Sequence, residues 1–331
     1  MGQGAEHGEQ RRQQQSHRRP GARPFTEARA RELLASAAGH EHAGHDEQAV
    51  AGVGAATGEH AVLLALGENA VFALDPPHAP EPLVVRVGRD PSLLARAERE
   101  LRVAAWLEQQ RVPAVRAARP EVTVVDGHPL TYWRRLPEPV REATPADLAV
   151  LLRLVHALET PEFELPRRDL LSGVERWLRL AGDAVPAADA AYLRARRDDF
   201  DAAVAELTPV LPPGPLHGDA LPRNVHVGPD GPLLVDLETF SDDLREHDLV
   251  VLTLSLDRYG LDEAAYSGFV RAYGWDVREW PGCAVLRGAR ETAACAWVAQ
   301  HAPANPAARR EFDRRVESLR RDDAAVRWYA F

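Results

Sequence analysis

Apolar residues recur every three or four positions over residues 93–109 (LLARAERELRVAAWLEQ), a spacing that predicts an amphipathic helix. Before it, residues 60–90 alternate in short apolar runs separated by a glycine-containing turn and a proline-rich loop, predicting three strands. After it, EVTVVDG and PLTYWRRLPE predict two more strands joined at Asp126-Gly127, a dipeptide favoured in tight hairpin turns. A further helical segment, residues 26–39, precedes the first strand. The first half is therefore expected to be a small sheet carrying one main helix.

Beyond Pro137 the period changes. Residues 145–159, 173–182, 187–211, 246–260, 263–274, 284–302 and 306–328 all carry helical spacing. The pattern is interrupted once, at residues 216–240 (LHGDALPRNVHVGPDGPLLVDLETF), where two short apolar stretches flank Pro229-Asp230-Gly231. The expected fold is α+β and bilobal: residues 1–24 form a tail, 25–136 a sheet lobe that binds nucleotide, and 137–331 a helical lobe with the catalytic loop and substrate site.

Composition narrows the partners. The chain has 331 residues, enough for two cores, and its first 24 are Gln-, Arg- and Gly-rich with little to bury, so they are expected to be disordered. No apolar run approaches the roughly 20 residues of a membrane span, and the N-terminus lacks the apolar core of a secretory signal. A cytoplasmic protein without a membrane partner is expected. A net charge of −10 disfavours nucleic acid as a partner. The two cysteines, Cys283 and Cys295, are expected to be small buried hydrophobes. The His40, His42 and His45 cluster reads as adventitious metal affinity rather than a working site. Because the chain has no lysine, all 40 basic residues are arginines; Schiff-base and lysine general-base chemistry are excluded, and any cation holding a phosphate is an arginine.

The interruption at residues 216–240 carries the chemistry. Pairing Asn224 and its followers with residues 233–235 would bring Asn224 and Asp236 to one end of a hairpin, with Asp219 on the preceding loop. Magnesium takes oxygen ligands and keeps waters and substrate phosphates in its shell, so an Asn and an Asp suit a magnesium-nucleotide site. A third carboxylate beside them can accept the proton of a hydroxyl. Kinase phosphoryl transfer divides these tasks between an Asp and an Asn separated by four intervening residues, the spacing of Asp219 and Asn224.

His217-Gly218-Asp219, Asn224 and Val235-Asp236-Leu237-Glu238 together resemble the signature of the aminoglycoside phosphotransferase family, small-molecule kinases of protein-kinase-like fold. Supporting landmarks are residues 154–158, 131–134 and 246–249, and the resemblance runs from about Gly67 onward. It implies Asp219 as catalytic base, Asn224 and Asp236 as Mg2+ ligands, and His217 and Asp248 as supports of the catalytic loop. Arg86 stands where the family has a lysine on the third strand; it is expected at the phosphates, with Val84 over the adenine and Glu100 as the ion-pair partner ahead of Glu98. Trp133, Arg134 and Arg135 are expected at the hinge, offering main-chain groups to ATP or GTP.

Only LETFSDDLREH lies between Asp236 and the helix near Asp248, and no APE motif occurs, so a small-molecule kinase is favoured over a protein kinase. The expected partners are a nucleoside triphosphate and a hydroxylated small molecule, with an aminoglycoside-like or other antibiotic as acceptor in a resistance role. The alternatives are a metabolite kinase for choline-like, amino alcohol or sugar acceptors, and a non-catalytic nucleotide-binding protein. Asp242, Asp243, Glu246, Asp262, Glu263 and Glu291 form the expected acidic wall for amine acceptors.

Overall fold

A computed structural model describes residues 25–40, 60–67, 69–75, 79 and 81–329. The expected tail, His42, His45 and Glu68 of the turn before β2 lie outside the described residues. The described residues form two compact units, one comprising those up to Leu94 together with Thr123–Tyr132, the other comprising Ala95–Val122 and those from Trp133 onward. The sequence division at residue 136 assigns the main helix to the sheet lobe; by contacts, almost all of that helix belongs to the larger unit.

The smaller unit is built on a five-stranded sheet in the order β1-β2-β3-β5-β4, with β1 Val62–Leu66, β2 Asn69–Leu74, β3 Leu83–Gly88, β4 Thr123–Val125 and β5 His128–Arg134. Helix α1, Glu27–His40, buries Ala30, Leu33, Leu34 and Ala37 on one stripe. Strand β2 pairs antiparallel with β3 and sets Val71 opposite Arg86. Along β3, Val85 and Val87 are buried while Val84 and Arg86 are half-buried on the other face, as two-residue alternation requires. The β4–β5 turn has Asp126 at φ 49° and Gly127 at φ 81°, the two left-handed residues of the turn that the sequence marks.

The larger unit begins with α2, Leu94–Gln109, whose buried stripe includes Leu101, Val103, Trp106 and Leu107. Helix α3, Pro145–His156, starts from a reciprocal cap: the Thr144 hydroxyl accepts from the Asp147 amide, and the Asp147 carboxylate accepts from the Thr144 amide, with Pro145 supplying the fixed first φ. Helices α4, Val174–Ala181, and α5, Ala187–Ala205, lead to the short strand β6, Gly214–Leu216. The hairpin of β7, Val225–Gly228, and β8, Gly231–Leu234, follows, and then β9, Ser241–Asp243, which pairs with β6. Helices α6, Glu246–Arg258, α7, Glu263–Tyr273, α8, Gly282–Ala299, and α9, Pro306–Arg320, complete the unit.

The last helix is shorter than its spacing predicts, ending at Arg320 rather than running to residue 328. Asp322 turns left-handed at φ 50°, and the chain doubles back to bury Trp328. Trp328 lies under the guanidinium groups of Arg258 and Arg315, and its amide donates to the Arg258 carbonyl at 2.7 Å. Burial of a large aromatic ring outweighs one further turn of exposed helix. Both cysteines are buried and unpaired, as expected, and burial pushes the Cys295 thiol up to about 12. Among the described residues no helix is long and apolar enough to cross a membrane.

Candidate active site

The hairpin forms in the predicted register, with Val225 opposite Leu234 and Gly228 opposite Gly231. One further bond, from the Val235 amide to the Asn224 carbonyl at 3.0 Å, extends the pairing and carries Asn224 and Asp236 to its open end. Asp236 has φ 60° and ψ 65°, a left-handed conformation that ends the extended run of β8. A non-glycine residue held there costs energy, which is a mark of functional sites.

Asp219 precedes the hairpin on the loop after β6. Its Oδ2 accepts from Asn224 Nδ2 at 2.9 Å and from Arg223 Nη2 at 3.0 Å. Asn224 Nδ2 also donates to the Asp219 carbonyl at 2.8 Å. With both donors of its amide turned to Asp219, Asn224 presents the carbonyl oxygen Oδ1 on its other side. Asn224 Oδ1 and the Asp236 carboxylate are both hard oxygen donors, the set that suits Mg2+ completed by waters and phosphates. Among the described residues no cluster of three or more His, Cys, Asp or Glu is arranged to hold a metal by itself.

Asp248, in the first turn of α6, fixes this loop from below. Fully buried, it accepts from the His217 amide at 2.7 Å and the Gly218 amide at 2.8 Å. His156 Nε2 lies 3.2 Å from its Oδ2, while His156 Nδ1 lies 2.8 Å from the Tyr273 hydroxyl. An ionised carboxylate can only accept, so Nε2 donates to Asp248, while burial raises the Tyr273 pKa and keeps its hydroxyl protonated. Burial works against the ionised Asp248, but the bond from His156 and the charges and amide of this cluster outweigh it and hold the carboxyl down at about 2.

His217 is itself buried, with Nε2 3.1 Å from the Val235 carbonyl and Nδ1 accepting from the Asp219 amide at 3.4 Å. It therefore ties the loop that carries Asp219 to the strand that ends in Asp236. Gly218 has φ 87°, and a Cβ there would overlap the Thr239 carbonyl. Gly218→Ala is expected to cost about 2 kcal/mol or more and to distort the loop, read as a lower urea midpoint together with lost turnover.

Of the remaining sequence-predicted residues, Glu100 is buried on α2 whereas Glu98 is exposed, and a buried carboxylate requires a partner where an exposed one does not. Trp133 is buried, and the Arg134 amide donates to the Arg116 carbonyl at 3.0 Å. Arg86 and Val84 lie together on β3 in the smaller unit. Glu238, the residue that follows Leu237 after Asp236, accepts from Arg96 of α2 at 3.4 Å.

A cavity of about 1070 Å³ opens at Asp219, walled by α4, α6 and α8 and the loop that enters α4. None of the six acids of the expected acidic wall lines it. Glu291 is buried in an ion pair with Arg258 at 2.7 Å; Asp243 accepts from Arg167 and from the Arg168 and Leu244 amides; Glu246 accepts from the Val210 and Leu211 amides. Asp262 caps α7, Glu263 pairs with Arg278, and Asp242 accepts from Thr160. These acids are structural.

Two residues at the site escape sequence reasoning. Arg168 Nε and Arg290 Nη2 both reach the Gly218 carbonyl, at 3.0 and 3.4 Å, and Arg290 also donates to the His247 carbonyl at 3.0 Å. In sequence each is one arginine among many, and only the fold brings them together.

A family model, the phosphotransferase enzyme family (APH), matches residues 61–286. The chain belongs to the phosphotransferase enzyme family. The matched span of this phosphotransferase includes β3, α2, the hairpin and Asp248. No curated protein sequence matches the chain. Among solved structures, amicoumacin kinase hAmiN in complex with AMP-PNP, Ca2+ and Ami is similar at 13% identity and TM-score 0.62, over 81% of this chain and 90% of that one. A choline/ethanolamine kinase family protein from Mesorhizobium loti is similar at 17% identity and TM-score 0.55, over 80% and 89%. Spectinomycin phosphotransferase APH(9)-Ia, in complex with ADP and spectinomycin, is similar at 13% identity and TM-score 0.54, over 78% and 88%. At these identities the likeness is one of fold, and it matches the α+β class that the sequence predicts.

Proposed function

We propose that the protein is a small-molecule O-phosphotransferase that moves the γ-phosphoryl of ATP or GTP to a hydroxyl of its acceptor. The observation that carries the reading is the convergence of Asp219, Asn224 and Asp236 at the open end of one hairpin, beside a cavity that contains Asp219. A nucleotide-binding protein without activity has no use for a carboxylate at the mouth of an acceptor-sized cavity.

In this reading the acceptor hydroxyl lies within hydrogen-bond reach of Asp219 Oδ1 or Oδ2. Its oxygen bonds to the γ-phosphorus, the bond from that phosphorus to the β-phosphate bridging oxygen breaks, the nucleoside diphosphate leaves, and Asp219 takes the hydroxyl proton. Asn224 Oδ1 and Asp236 would hold Mg2+, which neutralises the phosphate oxygens when bound. Arg86, steadied by Glu100, would supply the remaining positive charge at the phosphates, and a guanidinium can do so bidentately where lysine acts as a point charge. Val84 and main-chain groups of residues 133–135 would contact the base. Rate enhancement comes from positioning and charge placement, since the chain supplies no covalent intermediate.

The complexes of amicoumacin kinase with AMP-PNP, Ca2+ and Ami and of spectinomycin phosphotransferase with ADP and spectinomycin support this class, and the family match supports phosphoryl transfer. We assign the protein to the cytoplasm, where the nucleotides are. Asp236→Ala is expected to weaken Mg2+-dependent nucleotide binding by at least about 100-fold, because it removes the one carboxylate of the pair. Titration calorimetry with AMP-PNP, with Mg2+ and with EDTA, reads this directly. Unchanged Mg2+ dependence in the variant would place the metal elsewhere.

A further inference from the structure

The cavity at Asp219 has the wrong charge for a polycationic acceptor. Although the whole chain carries a net charge of −10, five arginines line this cavity against two aspartates. Two of the five are already neutralised: Arg223 pairs with Asp219, and Arg315 is buried against Glu311 at 2.8 Å. One of the aspartates, Asp169, turns its carboxylate to the Leu171 and Ser172 amides. Among the described residues, Arg168, Arg176 and Arg290 form no salt bridge. Arg168 and Arg290 share the through-space field of Asp219 and Asp248, and Arg176 is exposed at the rim, so the guanidinium groups still outnumber the carboxylates that line the cavity. Such a pocket attracts an anion and disfavours an ammonium.

Their positions divide the work. Arg168 and Arg290 hold the carbonyl of Gly218, next to Asp219, so their charge bears on the reacting end of the pocket. Removal from water, with the neighbouring Arg168 charge, brings the Arg290 guanidinium down to about 10 against the opposing pull of Asp219 and Asp248. Its Nε is buried and has no hydrogen-bond partner among the described residues. Arg176 is different: it projects from α4 beside Trp177, and across the cavity α8 presents Trp297 while Tyr259 follows α6. Planar rings of this kind grip a flat apolar body, and a guanidinium beside them pairs with a carboxylate or phosphate.

We infer that the acceptor is a hydroxylated organic anion with an aromatic or otherwise flat apolar body, its acidic group held by Arg176 with the support of Arg168 and Arg290, and not a polyamine such as an aminoglycoside. This rests on the phosphotransferase reading and names its substrate class. The acidic group is a carboxylate or a phosphate ester; both offer paired oxygens to a guanidinium.

The test separates the anion pocket from the kinase reading. Full-length enzyme with Mg2+ and AMP-PNP is titrated, by tryptophan fluorescence and by calorimetry, with four hydroxylated aryl probes on one scaffold: carboxylate, phosphate ester, neutral amide and amine. Kanamycin is the polycationic control. One or both acids are expected to bind at least about ten-fold more tightly than the amide, and the one that does identifies the acidic group. Arg176→Gln is expected to remove that advantage while leaving amide binding unchanged. If Arg290→Gln disturbs the loop, Arg176→Gln still decides, because its guanidinium makes no bond to the loop. Equal binding of acid and amide, preference for the amine or kanamycin, or binding of neither acid overturns the inference. Phosphoryl transfer is read separately from ATP and GTP consumption: selective acid binding with no Asp219-dependent turnover of any acceptor would defeat the kinase reading and leave the anion pocket standing. Asp219-dependent phosphorylation of kanamycin would do the reverse.

Discussion

Asp219→Ala is expected to lower turnover by about 10³-fold while nucleotide affinity stays within about two-fold of the parent. The selectivity follows from the loop geometry. Asn224 bonds to Asp219 through two acceptors, the carboxylate Oδ2 and the main-chain carbonyl. The second survives truncation, so Asn224 keeps its orientation and the proposed metal site its amide oxygen. Arg223 loses its ion pair, but it is largely exposed and such pairs contribute little. What disappears is the only carboxylate in the cavity not turned to the backbone amides of a loop. Single-turnover mass spectrometry of the acceptor, together with AMP-PNP titration, measures both quantities. Equal turnover in the variant would refute the base assignment, and a parallel loss of nucleotide affinity would recast Asp219 as a metal ligand.

Asp248→Ala should be the most damaging substitution to the fold of the site, at about 3–5 kcal/mol. The carboxylate satisfies the His217 and Gly218 amides and receives His156, all in a place that water does not reach. Without it two buried amides have no acceptor and His156 loses its anchor, which also loosens the contact to Tyr273. A drop of several degrees in the thermal midpoint and loss of turnover are expected together, with Asp248→Asn intermediate because it retains one acceptor oxygen. The pH dependence has a defined sign. Because the folded-state carboxyl is depressed from 3.8 to about 2, its stabilisation is complete above the ordinary value and is lost as pH falls toward 2. The parent should therefore lose its stability advantage over Asp248→Asn in that window. Indistinguishable melting curves for parent and Asp248→Ala would show that the loop is held by other means.

The hairpin was legible because its information is local. Asp219, Asn224 and Asp236 are close in sequence, and the two-residue Pro229-Asp230 turn fixes the register that sets Val225 opposite Leu234. The β4–β5 turn and the buried stripes of the long helices could be read for the same reason. Strands β6 and β9 could not: each has three residues, one is Gly-Pro-Leu and the other Ser-Asp-Asp, and neither alternates over enough positions to signal a strand. Nor could the end of α9, because the helical pattern continues through Asp322 and only the tertiary pull of Trp328 stops it.

The acidic wall shows a deeper limit. Charged residues look alike in sequence whether they cap a helix, close a buried ion pair or face a ligand. Glu291 and Glu246 are satisfied by Arg258 and by the Val210 and Leu211 amides, whereas Arg168, Arg176 and Arg290 form no salt bridge among the described residues, and none of this is written in spacing.

The groups proposed to carry the reaction and the walls of the cavity come from different parts of the chain. Asp219, Asn224 and Asp236 belong to one contiguous segment clamped by Asp248, while Arg176 and Trp177 stand on α4 and Trp297 on α8. Apart from Arg290 of α8, which is tied to the Gly218 carbonyl, the wall positions are separable in inheritance from that segment: drift or recombination there can retune which molecule is chosen while the segment is kept. A laboratory library confined to the exposed faces of α4 and α8 therefore samples new acceptors on an intact engine.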